Sequence, residues 1–146
     1  MDRRNFLTKS CMSCFGAGLA FTFLQSCSTS SQLLQGSISG SDLVIDAVEF
    51  VNKGTENKFK KYVIVAHEQL KFPICVYRIN ENTYSALLME CTHQGAELQV
   101  FGDKMQCPAH GSEFDNHGDA TSGPATDPLR SFPVTIINNQ LKISLK

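Results

Sequence analysis

Two short stretches decide how this chain is interpreted: Cys91-Thr92-His93-Gln94-Gly95 and Cys107-Pro108-Ala109-His110-Gly111-Ser112. Each stretch carries a thiol and an imidazole within one turn of chain, with thirteen residues between His93 and Cys107. Both stretches follow a strand-like run, so a hairpin can bring the two loops face to face. Soft thiolates combined with imidazoles suit zinc or iron-sulfur chemistry, because a tetrahedral site of two sulfurs and two nitrogens is compatible with both. The four donors alone therefore leave the metal open.

From residue 42 onward the sequence predicts an all-β domain. No stretch there has a sustained helical period, whereas β-branched and apolar runs recur at short spacing with Asn and Gly turns between them. The predicted strands are 43–51, 62–67, 73–79, 83–90, 98–101, 104–107, 133–138 and 140–145. Many short strands with such turns are typical of a sandwich or small barrel. The segment 108–132 is rich in Gly and Pro, and we predict a long functional loop with little secondary structure.

The first 26 residues are predicted to be an export signal and not part of the fold. Arg3 and Arg4 precede an uncharged, mostly apolar segment at 10–26, which is shorter than the ~20 apolar residues of a membrane-spanning helix. The basic start resembles the twin-arginine signal of bacterial proteins that are exported already folded. A cofactor inserted in the cytoplasm would require such a route.

The signal is followed by a predicted lipid anchor and tether. Leu24-Gln25-Ser26-Cys27 resembles a bacterial lipoprotein box, in which the cysteine carries the lipid, so Cys27 is the expected lipidation site. The alternatives are cleavage without lipidation and an uncleaved anchor. Residues 27–41 are Ser-rich and almost uncharged, which predicts a flexible tether.

Composition excludes some functions and directs attention to the cysteines. With 14 acidic and 13 basic residues and no long basic run, the chain has no electrostatic reason to bind nucleic acid. Six cysteines in 146 residues indicate either disulfides or metal. Cys11 and Cys14 lie in the predicted signal, and Cys75 lies in an apolar run that predicts a buried free thiol. That leaves Cys91 and Cys107 for chemistry.

The two loops do not stand alone. Together with Phe114-Asp115, Gly123-Pro124-Ala125 and Pro128-Leu129 they closely resemble the Rieske iron-sulfur family, over roughly residues 42–146. The resemblance implies an all-β, Rieske-like antiparallel β-sandwich with a small cluster-binding subdomain formed by two loops. It also implies one [2Fe-2S] cluster as cofactor.

The resemblance assigns a role to each residue around that cluster. Cys91 and Cys107 would bind one iron, and His93 and His110 the other. Around them, Gly95 and Gly111 are expected to allow close backbone approach and to donate N–H groups to the cluster sulfurs. The Ser112 hydroxyl would bond a bridging sulfide, and Gly123-Pro124 would form a loop that covers the cluster. His67 and His117 have no cysteine at ligand spacing and are interpreted as ordinary histidines.

The sequence departs from the quinol-oxidising members of the family at four positions. Ala96 and Ala109 stand where those members carry one further cysteine in each loop, so no disulfide can join the loops. Phe114 stands where they have a tyrosine whose hydroxyl bonds a ligand sulfur, and Gln94 replaces a leucine beside the first histidine. Loss of a hydrogen bond to sulfur destabilises the reduced state. We therefore expect a reduction potential below that of the quinol-oxidising members, within the His-ligated range of about −150 to +300 mV.

The expected function is one-electron transfer between redox partner proteins at the outer, periplasmic side of a bacterial cytoplasmic membrane. No catalytic nucleophile or acid–base pair is recognisable, so a small-molecule substrate is not expected and the chain is not predicted to be a stand-alone enzyme. The alternatives are an iron-sulfur subunit of a quinol:cytochrome c oxidoreductase or an arsenite-oxidase-like complex and, in another class, a structural zinc-binding lipoprotein. Without residues 1–26 the chain has 10 basic and 13 acidic residues, which favours a mildly basic docking surface on the partner.

Overall fold

The computed structural model describes residues 33–52 and 58–146, so the predicted signal and Cys27 lie outside the described residues. In the described residues the chain forms thirteen strands and one 3-10 helix, Ala47–Phe50, which confirms the all-β prediction. No helix of this part of the chain is both long and apolar enough to cross a bilayer. The strands are β1 (Leu33–Gln35), β2 (Ser37–Ser39), β3 (Asp42–Asp46), β4 (Tyr62–Ala66), β5 (Ile74–Arg78), β6 (Tyr84–Leu88), β7 (Gln99–Phe101), β8 (Lys104–Gln106), β9 (Glu113–Asp115), β10 (Ala120–Ser122), β11 (Ser131–Phe132), β12 (Val134–Ile137) and β13 (Gln140–Ser144).

The strands form three sheets. A central sheet has the order β1-β4-β5-β6-β11, an outer sheet the order β12-β13-β3-β2, and a small sheet the order β10-β9-β8-β7. The strand pairs are antiparallel except for β1 and β4, which pair in parallel. Seven of the ten strand pairs join strands that are neighbours in sequence, as is usual for antiparallel β-proteins.

The central sheet is buried on both faces. Along β5, Ile74 and Val76 point into a core shared with the outer sheet, whereas Cys75 and Tyr77 point into a second core shared with the small sheet. Successive side chains of a strand point to opposite faces of its sheet. All four side chains are fully or almost fully buried, because each face packs against a core. The small sheet and the two Cys-His loops therefore rest on the Cys75 face of the central sheet.

Three expectations about the strands were wrong. The tether predicted at 27–41 is folded in its second half, because Leu34 and Ile38 pack against the first core and Gly36 lets β1 approach β3 and β4 closely. The strand predicted at 43–51 ends at Asp46, where the 3-10 helix begins. The loop predicted at 108–132 contains β9, β10 and β11. Strands of two or three residues are too short for an alternating pattern to stand out among polar residues.

Strand direction gives the molecule two distinct ends. β4 and β6 run the same way, and β5, between them, runs the opposite way. The loop that begins at Cys91 follows the far end of β6, so it lies at the end of the sheet where β4 finishes. The chain enters β1 from the other end, because β1 runs parallel to β4 and its first residue, Leu33, pairs with Ile64 in the middle of β4. We refer to these as the ligand-loop end and the entry end.

Candidate metal centre

The two Cys-His loops have the same backbone frame. In the first loop the Gly95 N–H donates to the Cys91 carbonyl at 2.8 Å, and the Cys91 N–H donates to the carbonyl of the residue after the glycine, also at 2.8 Å. In the second loop the Gly111 N–H donates to the Cys107 carbonyl at 3.0 Å, and the Cys107 N–H donates to the Ser112 carbonyl at 2.8 Å. The two loops therefore have the same hydrogen-bond pattern, although the histidine is the third residue of the first loop and the fourth of the second.

The glycines close these frames. Gly95 and Gly111 have φ values of 70° and 78°, in the left-handed region that residues with a Cβ rarely adopt. Their N–H groups donate to the Cys91 and Cys107 carbonyls and not to sulfur. The glycines therefore shape both loops, and their N–H donation to the cluster sulfurs stays a prediction.

The two cysteines form the inner half of the site. Cys91 and Cys107 are each 2% exposed, and both are free thiols. Burial opposes ionisation of Cys107, but the backbone N–H of Ala109, the thiol of Cys91 and the backbone N–H of His110 hydrogen-bond its sulfur, and together they lower its pKa. The N–H groups that serve a sulfur thus come from within the second loop and not from its glycine.

The two histidines form the outer half. His93 and His110 are both exposed, and their rings meet edge to face with centroids 5.1 Å apart. Each loop begins at a cysteine that is packed in the second core and returns through the glycine, so its middle residues lie at the surface. The donors therefore separate into a buried sulfur pair and an exposed nitrogen pair.

This separation fits a [2Fe-2S] cluster of the His-ligated type. Such a cluster takes two thiolates on one iron and two imidazoles on the other, so it needs two pairs of donors side by side. Within the described residues, no group of three or more His, Cys, Asp or Glu side chains is arranged around a single metal ion. The fit rests on the inner and outer pairs themselves, whose residue types are those that iron-sulfur chemistry requires.

A third loop, residues 123–129, contacts both ligand loops. The Thr92 hydroxyl donates to the Asp127 carbonyl at 2.8 Å, and the Ala125 N–H donates to the Ser112 hydroxyl oxygen at 3.1 Å. Gly123 has φ of 92° and lies so close to the second loop that an added Cβ would be 2.5 Å from the Ser112 Cα. The third loop is therefore hydrogen-bonded to both ligand loops, which no disulfide joins to each other.

The remaining predicted site residues occupy different depths. Ser112 is fully buried, and its hydroxyl oxygen accepts a hydrogen bond from the Ala125 N–H, so its own O–H can still donate to an acceptor. Phe114 is also fully buried, on β9 in the second core, whereas Pro124 is exposed on the third loop beside Gly123. Cys75 is fully buried, which confirms the expected buried thiol, and burial raises its pKa strongly.

The other two histidines take part in ordinary turns. The ring nitrogen Nδ1 of His67 accepts the Gln69 N–H at 3.2 Å, and the His117 N–H donates to the Asp115 carboxylate at 2.9 Å. Thr92, Ala125 and Asp127 were not singled out from the sequence. The hydroxyl of Thr92 between a cysteine and a histidine was the only available signal, since its bonding partner lies 35 residues away.

The surface around the histidines is almost uncharged. Among the exposed residues of the two ligand loops and the third loop, Asp127 is the only charged side chain. The other exposed residues there are Thr, Gln, Pro, Ala, Gly and the two histidines. The loops themselves are thus nearly uncharged, but Glu90 and Glu97 form a β-bridge beside the first ligand loop, and a Glu90 carboxylate oxygen lies 3.3 Å from where a Cβ of Gly95 would be.

Comparison with known proteins identifies the same arrangement elsewhere. Residues 43–133 match the family model described as the Rieske [2Fe-2S] domain. The chain is 37% identical over 60 residues to the cytochrome b6-f complex iron-sulfur subunit 3 of Nostoc sp., covering 40% of this chain and 34% of that protein. A similar subunit 1 from Synechocystis sp. is covered to 32% of its length. The chain thus spans about a third of the length of these curated relatives.

Solved structures share the fold. The cyanobacterial plasma membrane Rieske protein PetC3 from Synechocystis aligns with a TM-score of 0.51 and 26% identity, over 57% of this chain and 86% of that one. A chain from the complex of reduced oxygenase and oxidized ferredoxin in carbazole 1,9a-dioxygenase aligns with a TM-score of 0.54 and 26% identity, over 74% of this chain and 96% of that one. These alignments agree with the sandwich and its added small sheet.

Proposed function

The chain belongs to the Rieske [2Fe-2S] domain family, and from this we propose that it is an exported, lipid-anchored carrier of single electrons at the outer side of a bacterial cytoplasmic membrane. Rieske-type electron transfer and the [2Fe-2S] cofactor follow from the family. The export signal, the lipid on Cys27 and the location are our proposal. Their support is the basic and apolar pattern of residues 1–26 and the lipoprotein-like sequence before Cys27.

The separation of the donors into an inner and an outer pair carries the proposal for the site. When bound, the cluster supplies one reversible electron at a potential that imidazole ligation raises above that of all-cysteine clusters. We assign the inner iron to Cys91 and Cys107 and the outer iron to His93 and His110. The buried pair and the second core exclude water from the inner side, and the exposed imidazoles bring the outer side to the surface, where a partner protein can come close.

The test is electron paramagnetic resonance of the dithionite-reduced full chain. A His-ligated [2Fe-2S] cluster gives a signal with a low average g value, together with two iron and two sulfide per chain. Cys91→Ser and His110→Ala should each abolish that signal, because loss of a ligand exposes the cluster to hydrolysis. Cys75→Ser and His117→Ala, matched in residue type, should leave it unchanged. Zinc without iron or sulfide in freshly made protein would instead establish the zinc-binding lipoprotein and refute the assignment.

A second candidate is the iron-sulfur subunit of a larger quinol-oxidising complex. Its support is the similarity to cytochrome b6-f complex iron-sulfur subunits. Against it, Gln94 is exposed beside His93, and a polar side chain there weakens a surface for quinone docking. Purification from membranes in mild detergent distinguishes the two, since a stable complex subunit should elute together with a cytochrome b or a molybdenum protein.

A further inference from the structure

The basic residues of the chain concentrate at the entry end. Of the 10 Lys and Arg that remain without the predicted signal, five lie on adjoining segments there. Four exposed or half-exposed apolar side chains accompany them: Val48 is 57% exposed, Val51 39%, Phe59 48% and Phe101 52%. We call the following residues the basic-aromatic edge: Val48, Val51, Lys58, Phe59, Lys60, Lys61, Arg78, Phe101 and Lys104.

Direct contacts join these residues into one surface. Val51 and Phe59 form a β-bridge, and the Arg78 guanidinium lies 3.9 Å from the centre of the Phe59 ring. The Lys61 ammonium pairs with Asp103 at 2.8 Å, which joins this segment to the turn between β7 and β8. Phe101 and Lys104 lie opposite each other across that turn. The edge therefore runs from the 3-10 helix to the small sheet.

The acidic neighbours of the edge leave three of its five cations unpaired. Asp103 pairs with Lys61 and Glu113 pairs with Lys104. Three further acidic residues lie near the edge: Glu49 in the 3-10 helix, Glu81 in the exposed turn after β5, and Asp115 opposite Lys104. Lys58, Lys60 and Arg78 make no ion pair with another described residue. The chain without its signal has net charge −3, so three unpaired cations on adjoining segments are an exception to its overall acidic character. Basic side chains around exposed aromatic and aliphatic ones are the composition that binds anionic lipid surfaces.

The chain also enters the domain at this end. β1 begins at Leu33, which is 50% exposed and pairs with Ile64, three residues after Lys61. Only residues 28–32 separate Leu33 from Cys27. A fully extended stretch of that length reaches roughly 17 Å, at about 3.4 Å per residue. A membrane anchor at Cys27 would therefore hold this end of the domain, and not the ligand loops, next to the bilayer.

We propose that the basic-aromatic edge docks on the anionic surface of the membrane, with Phe59 and Phe101 inserted at the headgroup level and the lysines on lipid phosphates. This rests on the proposed anchor at the N-terminal side of the domain. Docking points the opposite, ligand-loop end away from the bilayer, so the exposed histidines face partners that stand above the membrane. The uncharged surface around His93 and His110 then takes no part in lipid binding.

The experiment uses tryptophan fluorescence, because the chain contains no tryptophan. Full-chain holoprotein carrying Phe59→Trp or Phe101→Trp is reconstituted into phosphatidylglycerol vesicles that contain brominated lipid. The matched control is Ile136→Trp, at a 42% exposed apolar position on the outer sheet. We expect a blue-shifted emission that brominated lipid quenches for the first two variants, and an emission unaffected by the vesicles for the control. In phosphatidylcholine vesicles none of the three should change.

Charge removal provides the second arm. Lys58→Gln with Lys60→Gln should lower the ratio of docked to undocked domain about 25-fold, at about fivefold per charge near an anionic surface. Lys71→Gln with Lys146→Gln removes two charges outside the edge and should lower the ratio little. Equal quenching at Phe59→Trp and Ile136→Trp would overturn the proposal. Quenching at neither position would also overturn it, and would favour an acidic partner protein as the group that binds the basic-aromatic edge. The cluster spectrum of the same samples reports separately whether the proposed function holds.

Discussion

Replacing Gly123 by alanine should loosen the second ligand loop, and the structure sets the size of the effect. The added Cβ would lie 2.5 Å from the Ser112 Cα, 2.8 Å from the Ser112 nitrogen and 3.0 Å from the Gly111 oxygen. Non-bonded carbons prefer about 3.5–4.0 Å, so the two loops must separate by about 1 Å. All three neighbours are backbone atoms, and no side chain can rotate out of the way.

That separation breaks contacts that can be counted. A 1 Å shift stretches the Ala125 to Ser112 bond, now 3.1 Å, beyond hydrogen-bonding distance and leaves a buried hydroxyl with one partner fewer. Such a loss costs about 1–3 kcal/mol, and weakening the Thr92 to Asp127 bond adds about 0.5–1 kcal/mol. We expect the free energy of unfolding to fall by about 2–4 kcal/mol from these contacts, apart from the strain of a positive φ.

Gly102→Ala is the matched control that removes this strain from the comparison. Gly102 has φ of 63°, against 92° at Gly123, but no atom lies within 4 Å of its added Cβ. Both variants also lose similar entropy in the unfolded chain, so the difference between them isolates the clash. Urea unfolding, followed by cluster absorbance and circular dichroism, should place the Gly123→Ala midpoint about 1–2 M below that of Gly102→Ala, for a slope near 2 kcal/mol per M. Equal midpoints and equal rates of iron loss would refute the claim that the third loop braces the ligand loop.

Two further predictions concern the same region. Phe114→Tyr should raise the reduction potential in a redox titration, because a buried hydroxyl in the second core can donate a hydrogen bond toward a ligand sulfur. The control Phe101→Tyr, at a 52% exposed position, should leave the potential unchanged. An unchanged potential in Phe114→Tyr would show that this side chain does not set the potential. Thr92→Val should lower the free energy of unfolding by about 0.5–1.5 kcal/mol and speed loss of the cluster to a chelator, since it deletes the bond to Asp127 and keeps the side chain's shape. Thr121→Val, which deletes a comparable exposed bond to the Glu113 carbonyl, should affect stability alone, and identical rates of cluster loss in the two variants would contradict a clamping role for Thr92.

The residues of the candidate site could largely be predicted from the sequence, because the Cys and His donors lie in short local motifs. Cys and His at fixed spacing, each followed by a glycine, define both ligand loops without any knowledge of the rest of the fold. The long strands β4, β5, β6, β12 and β13 were also readable, with ends displaced by a residue or so. Their runs of β-branched and apolar residues are long enough for an alternating pattern to appear.

What could not be read depends on contacts between distant parts of the chain. Thr92 bonds a carbonyl 35 residues away, and Ser112 bonds an N–H 13 residues away, so neither pairing leaves a local pattern. β1 and β2 were assigned to a tether because the stretch 27–41 as a whole is Ser-rich, although two half-buried side chains, Leu34 and Ile38, attach them to the core. The average composition of this stretch hides the two alternating apolar residues, Leu34 and Ile38, that make it fold onto the core.

The order of donors within each loop explains why the site has an inner and an outer half. The cysteine at the start of each loop is packed in the core, and the histidine two or three residues later lies at the surface before the glycine returns the chain. Exchanging Cys and His within a loop would place a thiolate in water and an imidazole in the core, so the sequence order itself fixes which iron can approach a partner. The histidines lie at one end of a sheet whose other end receives the chain and carries the basic residues. The loops that carry the histidines have a single exposed charged residue, Asp127, so electrostatic steering of a partner at that end depends on the groups that flank the loops, such as Glu90 and Glu97.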